Sequence, residues 1–140
     1  MKINISNPKT GKTYKFETDI SKFLGKKIGD KIDGLIINEN LKGYELKITG
    51  GSDNAGFPMN PSVHGVGRKK ILMKEGVGYR PKHWERYHSV KRKKTVHGNT
   101  IDDLIVQINC VVVKEGEKKL EELFEQKNSE GDKQWVLIKK

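Results

Sequence analysis

The chain has 140 residues, of which 33% are charged, and its 28 Lys and Arg outnumber its 18 Asp and Glu to give a net charge of +10. This length suits one domain with a modest core, and this charge favours nucleic acid as a partner over an anionic membrane. No stretch approaches the roughly 20 apolar residues that span a bilayer, and the start of the chain lacks the apolar run of a signal peptide. Cys110 is the only cysteine, which excludes an internal disulfide and fits a reducing cytoplasm.

Alternating apolar and polar residues predict β-strands along the first half of the chain. The alternation runs over 2–6 and 13–17, on both sides of a turn-forming segment, and therefore predicts a hairpin. Residues 19–24 favour a short helix or turn, and the glycines within 25–37 favour short strands joined by tight turns. A further half-buried strand is predicted at 44–49.

The second half is predicted to contain strands at 69–73 and 105–113, a helix at 117–126 and a short strand at 134–138. The side chains of the long strand that are expected to face the core are Val106, Ile108, Cys110 and Val112. Short strands with glycine-rich turns favour a mostly β fold, a barrel or a sandwich, over a layered α/β sheet.

The excess positive charge is concentrated in residues 64–98. This segment holds eleven basic and two acidic residues, whereas the rest of the chain holds 17 basic and 16 acidic ones. A surface charged only for solubility would mix the two signs. The aromatic residues Tyr79, Trp84 and Tyr87 lie among the cations, where they can stack on unpaired bases. We therefore favour nucleic-acid binding over the alternative of a solvated charged face.

The residues expected to contact RNA are the arginines of this segment, most of its lysines, two aromatic residues and one histidine. They are Arg68, Lys69, Lys70, Arg80, Lys82, Trp84, Arg86, Tyr87, Lys91, Arg92, Lys93, Lys94 and His97. All four arginines of the chain lie here, and arginine is favoured where a phosphate is bound bidentately.

A second candidate is the loop at 48–59, whose paired glycines and Asp-Asn dipeptide predict a tight turn after a strand. The residues that would contact RNA there are Gly50, Gly51, Ser52 and Asn54. A simple connection between two strands explains the same pattern equally well, so both interpretations stay open.

Four segments resemble the archaeal and eukaryotic small-subunit ribosomal protein family written S-six-e. They are 48–59 (ITGGSDNAGFPM), 78–81 (GYRP), 91–101 (KRKKTVHGNTI) and 106–116 (VQINCVVVKEG). Their order agrees with the family, and the resemblance extends over nearly the whole chain. It implies a single domain over residues 1–140, a small β-barrel of short antiparallel strands with one C-terminal helix and a basic extended loop at 64–98.

The resemblance also implies a structural, non-catalytic role in the cytoplasm, at the foot of the small ribosomal subunit. The expected partners are small-subunit ribosomal RNA and neighbouring ribosomal proteins, with no cofactor. The length is typical of archaeal members, so the long C-terminal helix that carries phosphorylated serines in eukaryotic members is expected to be absent. The chain departs from the family at His97, where Arg is expected, and at 82–90 (KHWERYHSV), which is longer and more aromatic than usual.

Catalytic and metal-dependent functions find little support. The chain has no Cys-x-x-Cys and no His-Glu-x-x-His motif, so no metal site is predicted. Asp102 and Asp103 are the best candidates for a nuclease, yet adjacent strand residues point to opposite faces and would not converge on a metal. They are interpreted as turn residues. The alternatives to a ribosomal role are a free RNA-binding accessory protein and an RNA-processing enzyme that uses Asp102 or Asp103.

Overall fold

The computed structural model describes residues 1–116, 118–120 and 122. Within this part the chain forms seven strands and one short α-helix. The strands are β1 (Lys2–Asn7), β2 (Lys12–Glu17), β3 (Lys31–Asp33), β4 (Glu45–Asp53), β5 (Arg68–Met73), β6 (Arg92–His97) and β7 (Ile105–Lys114), and the helix is α1 (His83–Tyr87). Five strands form one sheet in the order β2-β1-β7-β4-β3, and β5 and β6 form a separate two-stranded ribbon.

The five-stranded sheet is built on the predicted N-terminal hairpin, which is confirmed. β1 and β2 pair antiparallel, with Ile5 opposite Tyr14, and β1 then pairs parallel with β7. The apolar residues of each strand point to one face, where Ile5, Ile48 and Ile108 are fully buried. This alternation follows from the two-residue period of a strand, which sends successive side chains to opposite faces.

The predicted closed β-barrel is wrong, because the sheet is open. Its edge strands, β2 and β3, do not pair with each other in the part of the chain that the structure describes. The glycine-rich region 25–37 supplies only the three-residue β3, which is too short to continue the sheet. The core face is covered instead by connecting segments with single-turn 3-10 helices, one of which, at Ile20–Lys22, precedes the buried Phe23.

The basic segment is not one extended loop, as the family resemblance implied. The strand predicted at 69–73 is confirmed as β5, and it pairs with β6, which was not predicted. β5 and β6 pair in register from Arg68 opposite His97 to Met73 opposite Arg92. One residue of the lysine-rich β6, Val96, is apolar and fully buried, and it packs in a small second core. That core consists of Val63, Met73, Tyr79 and Val96.

In β7, three of the four predicted core positions are buried and Val106 is not, since 42% of it is exposed. A register shift between Ser52 and Asp53 of β4 changes the pairing at this end, so that Ile105 faces the core instead. Most of the predicted helix at 117–126 and all of the predicted strand at 134–138 lie outside the described residues. Among the described residues, no helix has the length and apolar character needed to cross a membrane.

Candidate nucleic-acid interface

The β5–β6 ribbon packs the apolar side chains of one face, its inner face, in the small second core, and the cations opposite them, Lys69, Arg92 and Lys94, lie on the same face. Directly opposed residues of antiparallel strands lie on the same face, and the inner face carries the buried or half-buried Ile71, Met73 and Val96. The outer face carries three opposed pairs, which are Arg68 with the buried His97, Lys70 with Thr95 and Leu72 with Lys93. Leu72 is 61% exposed, so the cations of the outer face surround an apolar position that no other part of the described chain covers.

Arg68, at the start of β5, is bound to the loop that follows β4. Its Nε donates to Asp53 Oδ2 at 2.6 Å, its Nη2 donates to Asn54 Oδ1 at 2.6 Å, and its guanidinium carbon lies 5.2 Å from the centroid of the Phe57 ring. The Asp53 side chain is fully buried and also accepts from the backbone N–H groups of Ala55 and Phe57. These contacts hold the loop after β4 against the first residue of β5.

The environment of Asp53 favours its charged form. Burial acts to raise the pKa of this carboxyl, but the hydrogen bonds from Arg68 and from the backbone of Phe57 and Ala55 outweigh it and hold the pKa below its usual range. Asp53 therefore carries a charge at neutral pH, and Arg68 is its counterion. The charge of Arg68 is largely neutralised within the protein.

One of the paired glycines before this loop, Gly51, has a structural explanation. Gly51 lies in β4 so close to β7 that a Cβ there would overlap the carbonyl oxygen of Gln107 and lie 3.1 Å from Met59 Sδ. Gly50 meets no atom within 4 Å at the corresponding position. Gly51 and Asn54 thus serve packing and hydrogen bonding inside the protein, and the RNA contact predicted for Gly50, Gly51, Ser52 and Asn54 stays a prediction.

Glu85 fastens α1 to the ribbon, a role that sequence reasoning missed. Its Oε2 accepts from the backbone N–H of Lys82 at 2.9 Å and from the Tyr79 hydroxyl at 3.3 Å. Its Oε1 accepts from both Nε, at 2.8 Å, and Nη2 of Arg92 in β6. The Lys82 backbone N–H and Arg92 hold the pKa of Glu85 below its usual range. The available signal was a glutamate three residues into a helix, where its side chain can cap the first backbone N–H groups.

The remaining arginines differ in their environment. Arg86 Nη2 lies 2.9 Å from Glu75 Oε1, and more than half of each side chain is exposed, so this pair adds little stability. Three of the four arginines therefore bind carboxylates of the protein. Arg80 is exposed and forms no ion pair within the described part of the chain.

Seven cations of the basic segment are exposed and have no carboxylate within ion-pair distance among the described residues; we call them the cationic surface. They are Lys69, Lys70, Lys74, Arg80, Lys82, Lys91 and Lys93. Lys74 was not among the predicted contact residues, although it belongs to the same basic segment. Lys94 is half-buried, with its Nζ 5.3 Å from the centroid of the Tyr79 ring.

His97 is fully buried, so its side chain does not reach the protein surface, and the RNA contact predicted for it stays a prediction. Its Nε2 lies 3.2 Å from Asp102 Oδ2. The Asp102 carboxylate also accepts from the backbone N–H groups of Gly67 and Leu104. Asp102 is thus a turn residue, as predicted. The described residues contain no group of three His, Cys, Asp or Glu side chains that could hold a metal ion.

Two aromatic side chains project from α1. Trp84 is 55% exposed and Tyr87 is 81% exposed, whereas Tyr14 and Tyr79 are buried. The Tyr87 ring makes an edge-to-face contact with His88, with a centroid separation of 5.2 Å. α1 therefore presents aromatic surface beside the cationic surface.

The chain is an open β protein whose excess positive charge is concentrated in the one segment, 64–98, that forms the ribbon and α1. This arrangement is typical of small basic nucleic-acid-binding proteins. The sequence model of the family described as Ribosomal protein S6e matches residues 1–125. The chain belongs to this family, which confirms the resemblance stated above and sets the chain among ribosomal proteins and not among enzymes.

Archaeal relatives agree with this assignment. The chain is 44% identical to the small ribosomal subunit protein eS6 of Methanocaldococcus jannaschii, over 95% of this chain and 97% of the relative. It is 52% identical to the protein of the same name from Nanoarchaeum equitans, over 89% of each chain. It is 51% identical to that from Methanothermobacter thermautotrophicus, over 81% of this chain and 87% of the relative.

Proposed function

We propose that this protein is a structural constituent of the small ribosomal subunit and that its cationic surface binds small-subunit ribosomal RNA. The relatives that share about half of its sequence are named small ribosomal subunit proteins. The observation that carries the RNA contact is the contrast between two sets of cations. Arg68 and Arg92 form ion pairs with buried carboxylates, whereas the seven members of the cationic surface remain available for phosphates.

The two sets act together. Arg68 and Arg92 fix the ribbon to the loop after β4 and to α1, so that the lysines of β5 and β6 start from fixed backbone positions. These lysines would recognise the shape and the sugar-phosphate backbone of the RNA and not its sequence, because the deep, narrow major groove of A-form RNA hides base edges from side chains. The neighbours of the protein would be other ribosomal proteins, in the cytoplasm.

Salt dependence of binding tests the electrostatic part of this proposal. With purified protein and small-subunit ribosomal RNA, the logarithm of the association constant should fall linearly with the logarithm of the salt concentration. The magnitude of this salt slope should be roughly 0.7 for each phosphate contacted, or roughly 5 if all seven cations take part. Binding that changes little between about 50 and 200 mM salt would contradict the proposal.

Sedimentation tests the ribosomal assignment. A tagged copy of the protein should travel with small subunits in a sucrose gradient after a moderate-salt wash. Recovery near the top of the gradient, together with salt-dependent RNA binding, would support the free RNA-binding accessory protein instead. RNA cleavage that disappears in an Asp102→Asn, Asp103→Asn variant would support the RNA-processing enzyme.

A further inference from the structure

We propose that α1 is a stacking site for an unpaired RNA base, formed by Trp84 and Tyr87. This inference rests on the proposed function, because the cationic surface would bring the RNA to the site. The two residues are three positions apart in the helix and therefore lie on the same side of it. Both are more than half exposed, unlike the other aromatic residues in the part of the chain that the structure describes.

The helix that carries these side chains is held in place by hydrogen bonds on its buried side. Glu85 lies between Trp84 and Tyr87 in sequence, is buried, and binds Arg92 of β6, the hydroxyl of Tyr79 and the backbone of Lys82. The aromatic side chains thus project from a fixed element, and less ordering entropy is lost when a ligand stacks on them. A five-residue helix would have little stability without these contacts.

The charges around α1 favour a nucleic acid over a protein as the ligand. Lys82 and Lys91 are exposed beside the helix, and Arg86 on the helix is paired with the exposed Glu75. The one acidic residue of the helix, Glu85, is turned inward. Exposed aromatic side chains bordered by cations suit an unstacked base whose flanking phosphates bind the cations. A fully paired helix offers no exposed base face except at its ends. The ligand class is therefore an RNA loop or bulge.

Tryptophan fluorescence can report the contact directly. The chain has two tryptophans, so a Trp135→Phe variant leaves Trp84 as the single reporter. We would titrate it with an RNA hairpin that has an unpaired loop and with the same hairpin carrying abasic loop nucleotides, which keeps every phosphate and removes the bases. We expect quenching by the first hairpin alone, and an affinity for it about ten-fold higher, since one stacked base contributes on the order of 1–3 kcal/mol.

Variants separate stacking from charge. Their affinities are measured with end-labelled hairpins, because the Trp84 variants lack the tryptophan reporter. Trp84→Ala or Tyr87→Ala should abolish the preference for the base-containing loop while leaving the salt slope unchanged, and Trp84→Phe should keep most of it. Leu35→Ala is the matched control, because Leu35 is 49% exposed in the 3-10 turn after β3. Circular dichroism of each variant verifies that the fold is intact.

The outcomes distinguish the two proposals. Equal affinity for both hairpins with an intact salt slope would overturn the stacking site alone. Loss of the salt slope would contradict the proposed function as well. Ultraviolet crosslinks from Trp84 to RNA in assembled small subunits would support stacking, whereas crosslinks only to a ribosomal protein would overturn it in favour of a protein contact.

Discussion

The five-stranded sheet and the β5–β6 ribbon are stabilised in different ways. Among the described residues, the core on the sheet contains 18 buried residues, whereas the ribbon has a cluster of four. The ribbon compensates with two buried carboxylates, Asp53 and Glu85, each bound by an arginine from one of its strands. The sheet thus gains its stability from apolar burial, and the ribbon gains its position from charged hydrogen bonds. This division leaves the ribbon free to carry a surface that apolar packing would cover.

The same comparison separates arginine from lysine. Arginine offers a planar fork that fits a carboxylate, whereas lysine carries a mobile point charge. In the basic segment, three arginines bind carboxylates of the protein and six of the seven members of the cationic surface are lysines. The arginines of this segment therefore mainly organise the surface, and the lysines mainly supply its charge.

The largest expected effect is on the sheet. Ile108 is fully buried in the centre of β7, so Ile108→Ala should lower the free energy of unfolding by about 2–5 kcal/mol through lost burial and a cavity. Urea denaturation measures this. Val113→Ala, on the same strand but 49% exposed, should stay within about 0.5 kcal/mol of the unchanged protein. Equal effects at the two positions would mean that the sheet is not the main source of stability.

The next largest effect is on RNA affinity. Replacing Lys70, Lys91 and Lys93 with Gln should reduce the magnitude of the salt slope by roughly 2, and should weaken binding about 100-fold near 0.1 M salt. The matched control replaces Lys2, Lys15 and Lys47, exposed lysines of the sheet, and changes the net charge equally. If both triple variants lose the same affinity, net charge and not the ribbon determines binding.

Local alternation predicted the sheet well, and in the basic segment the sequence predicted β5 but not β6. Ile3, Ile5, Tyr14 and Phe16 announce their strands because one face of each strand is buried in a large core. β6 shows only Val96 as a fully buried apolar residue among lysines, so its pairing with β5 had no clear signal. Barrel closure depends on how edge strands meet, and no local pattern encodes that.

The sequence predicted which residues make up the candidate site, but not which of its cations form ion pairs within the protein. The sequence located its cations and aromatic residues, and the structure exposes most of them. Their roles depend on long-range partners: Asp53 lies 15 positions from Arg68, and Asp102 lies near the buried His97. A count of charges cannot distinguish a cation that is bound to a distant carboxylate from one that is free.

A smaller effect is expected from the paired glycines of β4. Gly51→Ala should lower the free energy of unfolding by about 1–3 kcal/mol, because its Cβ overlaps the backbone of Gln107. Gly50→Ala has open space around it and should be nearly neutral. Thermal denaturation of the two variants measures the difference. If Gly50→Ala instead weakens RNA binding without changing stability, this result would favour direct RNA contact by the loop over a simple connection between two strands.

The smallest expected effect concerns the tie between loop and ribbon, and it depends on pH. Because the folded pKa of Asp53 is depressed, its contribution to stability is present above the unfolded pKa of about 3.9 and is lost as pH falls through the folded pKa. Asp53→Asn should lower the free energy of unfolding by about 1 kcal/mol at pH 7, since Arg68 is partly exposed, and by progressively less below about pH 4. Urea titrations of both proteins from pH 7 to pH 3 would show the two stability curves converging in acid. A constant difference across this range would mean that the Asp53 charge does not hold the ribbon, and that the shape of the loop alone does.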